Sequence, residues 1–185
     1  NLKHFKEIED AVQSSIKAGF ETITRTHPDF FGLKILNTLF GGFFGSRLMS
    51  NIREEKGYTY GIHSSILSYH NKSMLVVSTE TGNEFRDAVC KEIDFEMRRL
   101  MTEAVGIDEL EKVRNYIFND LLRSIEQSFS YGDVYQSLLE FDMTPEYLIR
   151  NVETLKSITP ERIMELANQY FKPDEVLYCI AGGKL

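Results

Sequence analysis

Residues 41–61 read GGFFGSRLMSNIREEKGYTYG, and the placing of breakers and apolar residues in this stretch organises what surrounds it. Gly41-Gly42 stops a helix that arrives from the N-terminal side, and Gly57 stops a second one. Between the two stops, Leu48, Met49 and Ile52 recur at helical spacing, which predicts a short helix from Ser46 to about Lys56. After Gly57 the pattern becomes strand-like, from Tyr58 to Tyr69. The chain therefore reverses at Gly57, a residue free to adopt positive φ. That reversal brings Arg53, near the end of the helix, and Tyr60, at the start of the strand, toward one end of a sheet.

Working outward, Ala11 to Thr24 alternates loosely and is rich in Ile, Thr and Ser, which predicts a strand. Pro28 opens a helix through Phe40, with Phe31, Ile35, Leu36 and Leu39 on one side. Downstream, Asn71-Lys72 marks a hairpin turn into a strand from Ser73 to Thr79. Phe85, Val89, Ile93, Met97 and Leu100 then recur every three or four residues, as do Leu110, Val113, Ile117, Leu121 and Ile125. Asp108 with Glu111 has the form of a capping box. Thr-Pro-Glu triplets at Thr144 and Thr159 each place a capping hydroxyl before a proline. Val176 to Ala181 is a final apolar strand. Strands and helices are segregated, so the expected fold is α+β, an antiparallel or mixed four-stranded sheet with helices packed on one face. The other face and the edges stay open to a partner. All of 1–185 reads as one domain.

The chain has 185 residues, of which 42% are hydrophobic, enough for a core that needs neither disulfide nor metal. Cys90 and Cys179 fall in a helix-like and a strand-like segment; both are expected to be buried thiols, with a single bridge left open. A net charge of -7 argues against nucleic acid. No apolar run is long enough to cross a membrane, and no signal peptide is visible. The chain begins Asn-Leu-Lys-His, so it is expected to be a piece of a longer protein. Its compartment stays open, with bacterial cytoplasm or periplasm the expectation.

Several chemistries are missing. No two of His4, His27, His63 and His70 have the helical spacing of a zinc pair. His4 to Ile8, HFKEI, starts like H-x-x-E-H but is one ligand short, so no metal site is expected in this chain. There is no Gly-x-Ser-x-Gly elbow, and the glycines at 41–45 lack the Lys-Ser/Thr of a phosphate loop. Glu54, Glu55, Glu92, Glu96, Glu109 and Glu111 read as solvated helix faces. Arg53 and Tyr60 carry the remaining candidate chemistry. A guanidinium fork and a phenol suit the carbonyl oxygens of a bound peptide or the oxyanion of a tetrahedral intermediate. The same residues also fit a self-paired charge cluster at a helix end and a strand tyrosine with its ring in the core. Phe43-Phe44 fits a core pair.

The run GG-F-F-GSRL-x4-REEKGYTYGI resembles the signature of the second, non-zinc domain of the pitrilysin/insulinase-like zinc peptidases, the inverzincins whose first domain carries H-x-x-E-H. The likeness in element order runs from about Ala11 to Gly182, and the specific signature from Gly41 to Gly61. The resemblance implies half of a zinc-dependent metalloendopeptidase that clamps peptide for a partner zinc domain. Arg53 and Tyr60 would be the catalytic, substrate- and oxyanion-contacting residues, with Gly41 and Gly42 in the substrate-binding stretch. This chain would hold no cofactor, with zinc in the partner domain, and would be inactive alone. The implied partners are an N-terminal zinc-binding domain or subunit and a peptide, with no nucleic acid and no membrane. Two alternatives stand beside it: a non-catalytic scaffold or assembly subunit of the same fold, and an unrelated α+β ligand-binding domain.

Overall fold

The computed structural model describes residues 2–126 and 128–184. Its strands are β1 (Leu2–Glu7), β2 (Gln13–Thr22), β3 (Thr59–Ser68), β4 (Ser73–Gly82) and β5 (Leu177–Gly182). Its α-helices are α1 (Phe30–Asn37), α2 (Arg86–Thr102), α3 (Ile107–Glu126), α4 (Ser128–Glu140), α5 (Glu146–Ser157) and α6 (Pro160–Tyr170). The strands form one mixed sheet in the order β1-β5-β2-β4-β3. β2 and β3 each run antiparallel to β4 between them, β5 lies antiparallel to β2, and β1 closes the edge parallel to β5.

The expected four strands are five. The missing one is β1, whose six residues are all exposed. With neither side buried, LKHFKE has no apolar alternation to signal it, and its partner β5 lies at the far end of the chain. Its charges suit an edge strand, which must avoid pairing with other chains.

Along β2 the residues Ser14, Ile16, Ala18 and Phe20 are buried while Gln13, Lys17 and Glu21 are exposed, so one sheet face meets the core and the other stays open. α1 lies in the middle of the core, with every residue but Lys34 buried. Gly32 allows α6 to come close there, because a Cβ at Gly32 would stand 2.7 Å from Leu166 Cδ1. Thr159 caps α6 by accepting from the Arg162 N–H at 3.2 Å, as its triplet predicts. The cap expected at Asp108 is not formed. α3 starts one residue earlier, Leu110 N–H bonds to the Gly106 carbonyl at 3.0 Å, and Asp108 sits inside the first turn, where its charge favours the helix dipole.

Cys90 is a buried thiol as expected, pushed up to about 11 by burial, but Cys179 is exposed and both are free. The alternation of β5 turns Tyr178 and Ile180 inward and Cys179 outward. Tyr178 reaches across to α2, donating to Asp94 Oδ1 at 2.8 Å. Burial, reinforced by Asp94, raises its hydroxyl far above the ordinary tyrosine value.

Candidate functional site

Two π-helical segments frame the glycine-rich stretch, Thr38–Gly42 continuing α1 and Met49–Glu55 in place of the expected short α-helix. A π turn holds an extra residue, so 3.6-residue spacing finds such segments only in outline. Gly41 is buried where the first segment crosses β3: a Cβ there would meet Ser64 Oγ at 2.6 Å and Leu48 Cδ1 at 2.9 Å. A Cβ at Gly42 would lie 3.2 Å from the Asn37 carbonyl oxygen. Both glycines face this chain's own backbone and side chains.

The second segment is fastened to the helices by groups that sequence patterns assign to solvent. Arg47 binds Glu109 with two parallel bonds of 2.9 and 3.0 Å. Asn51 Nδ2 donates to Glu96 Oε1 at 2.7 Å and to Glu92 Oε2 at 3.1 Å. Lys56 bridges back, at 2.5 Å to Asn51 Oδ1 and 2.8 Å to Glu92. Glu96 is only 1% exposed. The expectation that Glu92, Glu96 and Glu109 are solvated is thereby corrected: helical periodicity places Glu96 beside Met97 on the inner side of α2, where Asn51 donates to it and the Arg99 guanidinium stands 3.6 Å from the same oxygen.

Gly57 then turns the chain with φ +64°. Three backbone bonds close the turn: Lys56 N–H to Asn51 O at 3.1 Å, Gly57 N–H to Arg53 O at 3.2 Å, and Tyr58 N–H to Ile52 O at 3.0 Å. β3 begins with an irregularity. Thr59 pairs with Thr81, and the next pair is Ile62 with Thr79, so Tyr60-Gly61 stands opposite Glu80 alone. This is a β-bulge, and it inverts the alternation. Thr59 and Ile62 are both buried, while Tyr60 between them is 91% exposed. In an unbroken strand Tyr60 would share the inward face of Ile62. The bulge decides against the core position left open for this ring.

Tyr60 opens onto a groove of about 310 Å³ on the uncovered sheet face, lined also by Gln13, Lys17, His63, Ser78 and Glu80. Arg53 stands on the preceding segment with its guanidinium 4.8 Å over the exposed ring of Phe44, and it does not line the groove. The Phe43-Phe44 pair is thus divided: Phe43 packs against Tyr116 at 5.1 Å, and Phe44 supports Arg53. No hydrogen bond joins Arg53 to Tyr60. Among the described residues, neither the guanidinium of one nor the hydroxyl of the other has a hydrogen-bonding partner. The residues that sequence reasoning missed are Thr59, Thr79 and Thr81, which surround the bulge; the only local hint was an alternation that fails at Tyr60-Gly61.

A larger cleft of about 760 Å³ lies among the helices, lined by Lys34, Asn37, Tyr116 and Asp120 and apart from Arg53 and Tyr60. Water reaches Lys34 through this opening, yet surrounding protein lowers its ammonium below the usual lysine value, against an opposing pull from Asp120. The described residues offer no set of zinc ligands. His4 lies on β1, His63 on β3 and His70 in the turn after it, and no cluster of three or more His, Cys, Asp or Glu among the described residues could hold a metal ion.

The model of the family described as "Peptidase M16 inactive domain" matches residues 2–117. Among curated proteins, the uncharacterized zinc protease YmxG of Bacillus subtilis is 27% identical over 172 residues, covering 91% of this chain and 41% of that protein. The probable inactive metalloprotease YmfF of the same organism is 27% identical over 160 residues, 85% of this chain and 36% of that protein. The chain thus spans about two-fifths of the length of these relatives. Among solved structures, a peptidase M16 inactive domain from Pseudomonas fluorescens superposes with a TM-score of 0.87 at 22% identity, covering 99% of this chain and 44% of that one. A protease from Helicobacter pylori gives 0.89 at 18% identity, over 97% of this chain and 43% of that one. At these identities the two structures speak for the fold.

Proposed function

Because the chain belongs to the peptidase M16 inactive-domain family, we propose that it is the substrate-holding half of a zinc metallopeptidase, closing an extended peptide against a zinc-binding partner domain. The observation that carries this reading is the bulge in β3, which turns an unpartnered phenol out onto an open sheet face; the segment preceding β3 carries an arginine whose donors are also unused. Zinc in the partner domain would supply the activation of water. This chain's residues would bind and orient. The Tyr60 hydroxyl donates to the scissile carbonyl oxygen, a bond that strengthens as that oxygen gains charge. Arg53, held upright on Phe44, takes a second carbonyl or a carboxylate of the peptide with its forked N–H groups. Gly41 and Gly42 serve the site through packing, letting the segment that leads to Arg53 lie against β3. The groove below Tyr60 receives a side chain, and the uncovered strand edges offer main-chain pairing. With no metal-binding set among its described residues, this half would depend on its partner for hydrolysis.

The test is a peptide-hydrolysis assay on protein that contains both this chain and its zinc-binding partner. Arg53→Ala should lower kcat/KM by at least about tenfold, the loss of one charge-stabilising contact. Unchanged turnover would remove Arg53 from the reaction. A second reading, a scaffold or assembly subunit of the same fold, is favoured by one relative's description as a probable inactive metalloprotease. It would be preferred if wild-type protein with both halves showed no hydrolysis that a zinc chelator abolishes.

A further inference from the structure

The inward face of β4 changes character along its length. Leu75 and Val77 give way to Thr79 and Thr81, all four buried. Thr59, opposite Thr81 on β3, is buried as well. A buried hydroxyl is unfavourable unless it meets a partner, and valine would fill the same volume without that cost. These hydroxyls face backbone groups that the bulge has taken out of the strand ladder.

The pairing is nearly complete. The Gly61 N–H donates to Thr59 Oγ1 at 3.1 Å, a local turn that draws residue 61 back over residue 59. Thr59 Oγ1 lies 2.6 Å from the Glu80 carbonyl oxygen, the shortest of its acceptors, so its one proton goes there. Thr79 Oγ1 then supplies the Gly61 carbonyl at 2.9 Å, and it also lies 2.9 Å from Thr59 Oγ1. Thr81 Oγ1 donates to the Tyr58 carbonyl at 2.5 Å. The Ile62 N–H points to Met49 Sδ at 3.4 Å, tying the bulge to the π-helical segment that carries Arg53.

We propose that Thr59, Thr79 and Thr81 form a hydroxyl lock on the β3 bulge and are positioning residues for Tyr60. They act by making the irregular register more favourable than the regular one. A regular register would return Tyr60 to the inward face, since a one-residue slip reverses every side chain. The catalytic consequence rests on the peptide-holding function proposed above; the structural consequence does not.

Two measurements separate these. The first is nitration of this chain with tetranitromethane, with the modified tyrosines mapped by mass spectrometry. Tyr69, 60% exposed at the end of the same hairpin, is the internal reference. Thr59→Val and Thr79→Val should each weaken the bulged register about tenfold relative to the regular one, the equilibrium value of one buried hydrogen bond, and so lower the Tyr60:Tyr69 nitration ratio by about twofold or more. Thr79→Ser, which keeps the hydroxyl, should restore it. If Thr59→Val does not fold, Thr79→Val decides, since it leaves the Thr59 bonds to Gly61 and Glu80 in place. An unchanged ratio in the folded valine variants overturns the lock. The second measurement is hydrolysis by protein containing both halves, where Thr79→Val should lower kcat in step with the nitration ratio while KM is unchanged, and Thr79→Ser should behave as wild type. A fallen nitration ratio with wild-type kcat would overturn the positioning role. A fallen ratio with no hydrolysis in wild type would leave the lock standing and remove the peptidase function instead.

Discussion

Arg162 and Tyr170 share helix α6, Arg53 and Tyr60 flank the Gly57 turn, and the surroundings of the two pairs differ. Arg162 and Tyr170, both on α6, converge on one carboxylate: Asp29 accepts from the guanidinium at 2.7 Å and from the phenol at 2.7 Å. The His27 ring packs edge-on to Tyr170 at 5.9 Å, and the Asp29 N–H donates to His27 Nδ1 at 3.1 Å. Both terminal nitrogens of Arg162 and the Tyr170 hydroxyl are used inside the molecule, on Asp29 and Glu165. Arg53 and Tyr60 have no such carboxylate; one rests on an aromatic face and the other stands in solvent. The same two functional groups are therefore structural in one place and available in the other. What separates them is whether an internal acceptor is present, since a satisfied donor has little left to offer a ligand.

The comparison breaks if the first pair can be removed without cost. Asp29→Ala leaves a guanidinium and a phenol without their acceptor and should cost about 2–3 kcal/mol. In a chain of this size that is a fall of about 5–10 °C in the thermal midpoint, readable by circular dichroism. A fall of under one degree would mean that the first pair is as idle internally as the second.

Acid and alkali sharpen the contrast. Burial raises the Asp29 carboxyl, but the Tyr170 hydrogen bond and the Arg162 charge outweigh it and hold the group below the usual aspartate range. The folded chain thus takes up this proton less readily than the unfolded one. The contribution of Asp29 is complete above the ordinary aspartate value, about pH 4, and is lost as pH falls through the lowered one. Burial and the Asp29 bond push Tyr170 up to about 12. Its contribution is complete below the ordinary tyrosine value and is lost as pH rises through about 12. The stability gap between wild type and Asp29→Ala, followed by denaturant unfolding, should narrow at both extremes. A gap constant from neutrality down to the acid limit would show that the carboxylate is not what holds the cluster.

The smallest effect on folding belongs to the second pair. Tyr60→Phe should leave stability within about 0.5 kcal/mol, because a solvated hydroxyl contributes almost nothing. In protein containing both halves it should still lower peptide turnover by about tenfold. A Tyr60→Phe variant that unfolds readily would place Tyr60 among the structural tyrosines and erase the distinction.

Much of the architecture was legible in local pattern. The strands later seen as β2, β3, β4 and β5 announce themselves by alternation or an apolar run, α2 and α3 by helical spacing, and α6 by its Thr-Pro-Glu cap. The spacing of Arg53 and Tyr60 across Gly57 was visible too, and the positive φ at Gly57 is the turn that glycine permits. Other features left no such trace. β1 has no buried side, Cys179 looks apolar until its place in β5 turns it outward, and Glu96 looks solvated until Asn51, 45 residues away, donates to it.

The division follows from where each interaction finds its partner. Periodicity, caps and breakers act between residues a few positions apart, so the run of residues alone was enough to establish the α+β class and to place the arginine and the tyrosine on either side of the Gly57 turn. Which way the tyrosine faces depends on a bulge supported by Thr79 and Thr81, hydroxyls carried by a different strand. No local pattern at Tyr60 contains them. Only the assembled sheet, by setting Ile62 against Thr79 and leaving Glu80 alone opposite two residues, made that side chain an exposed one.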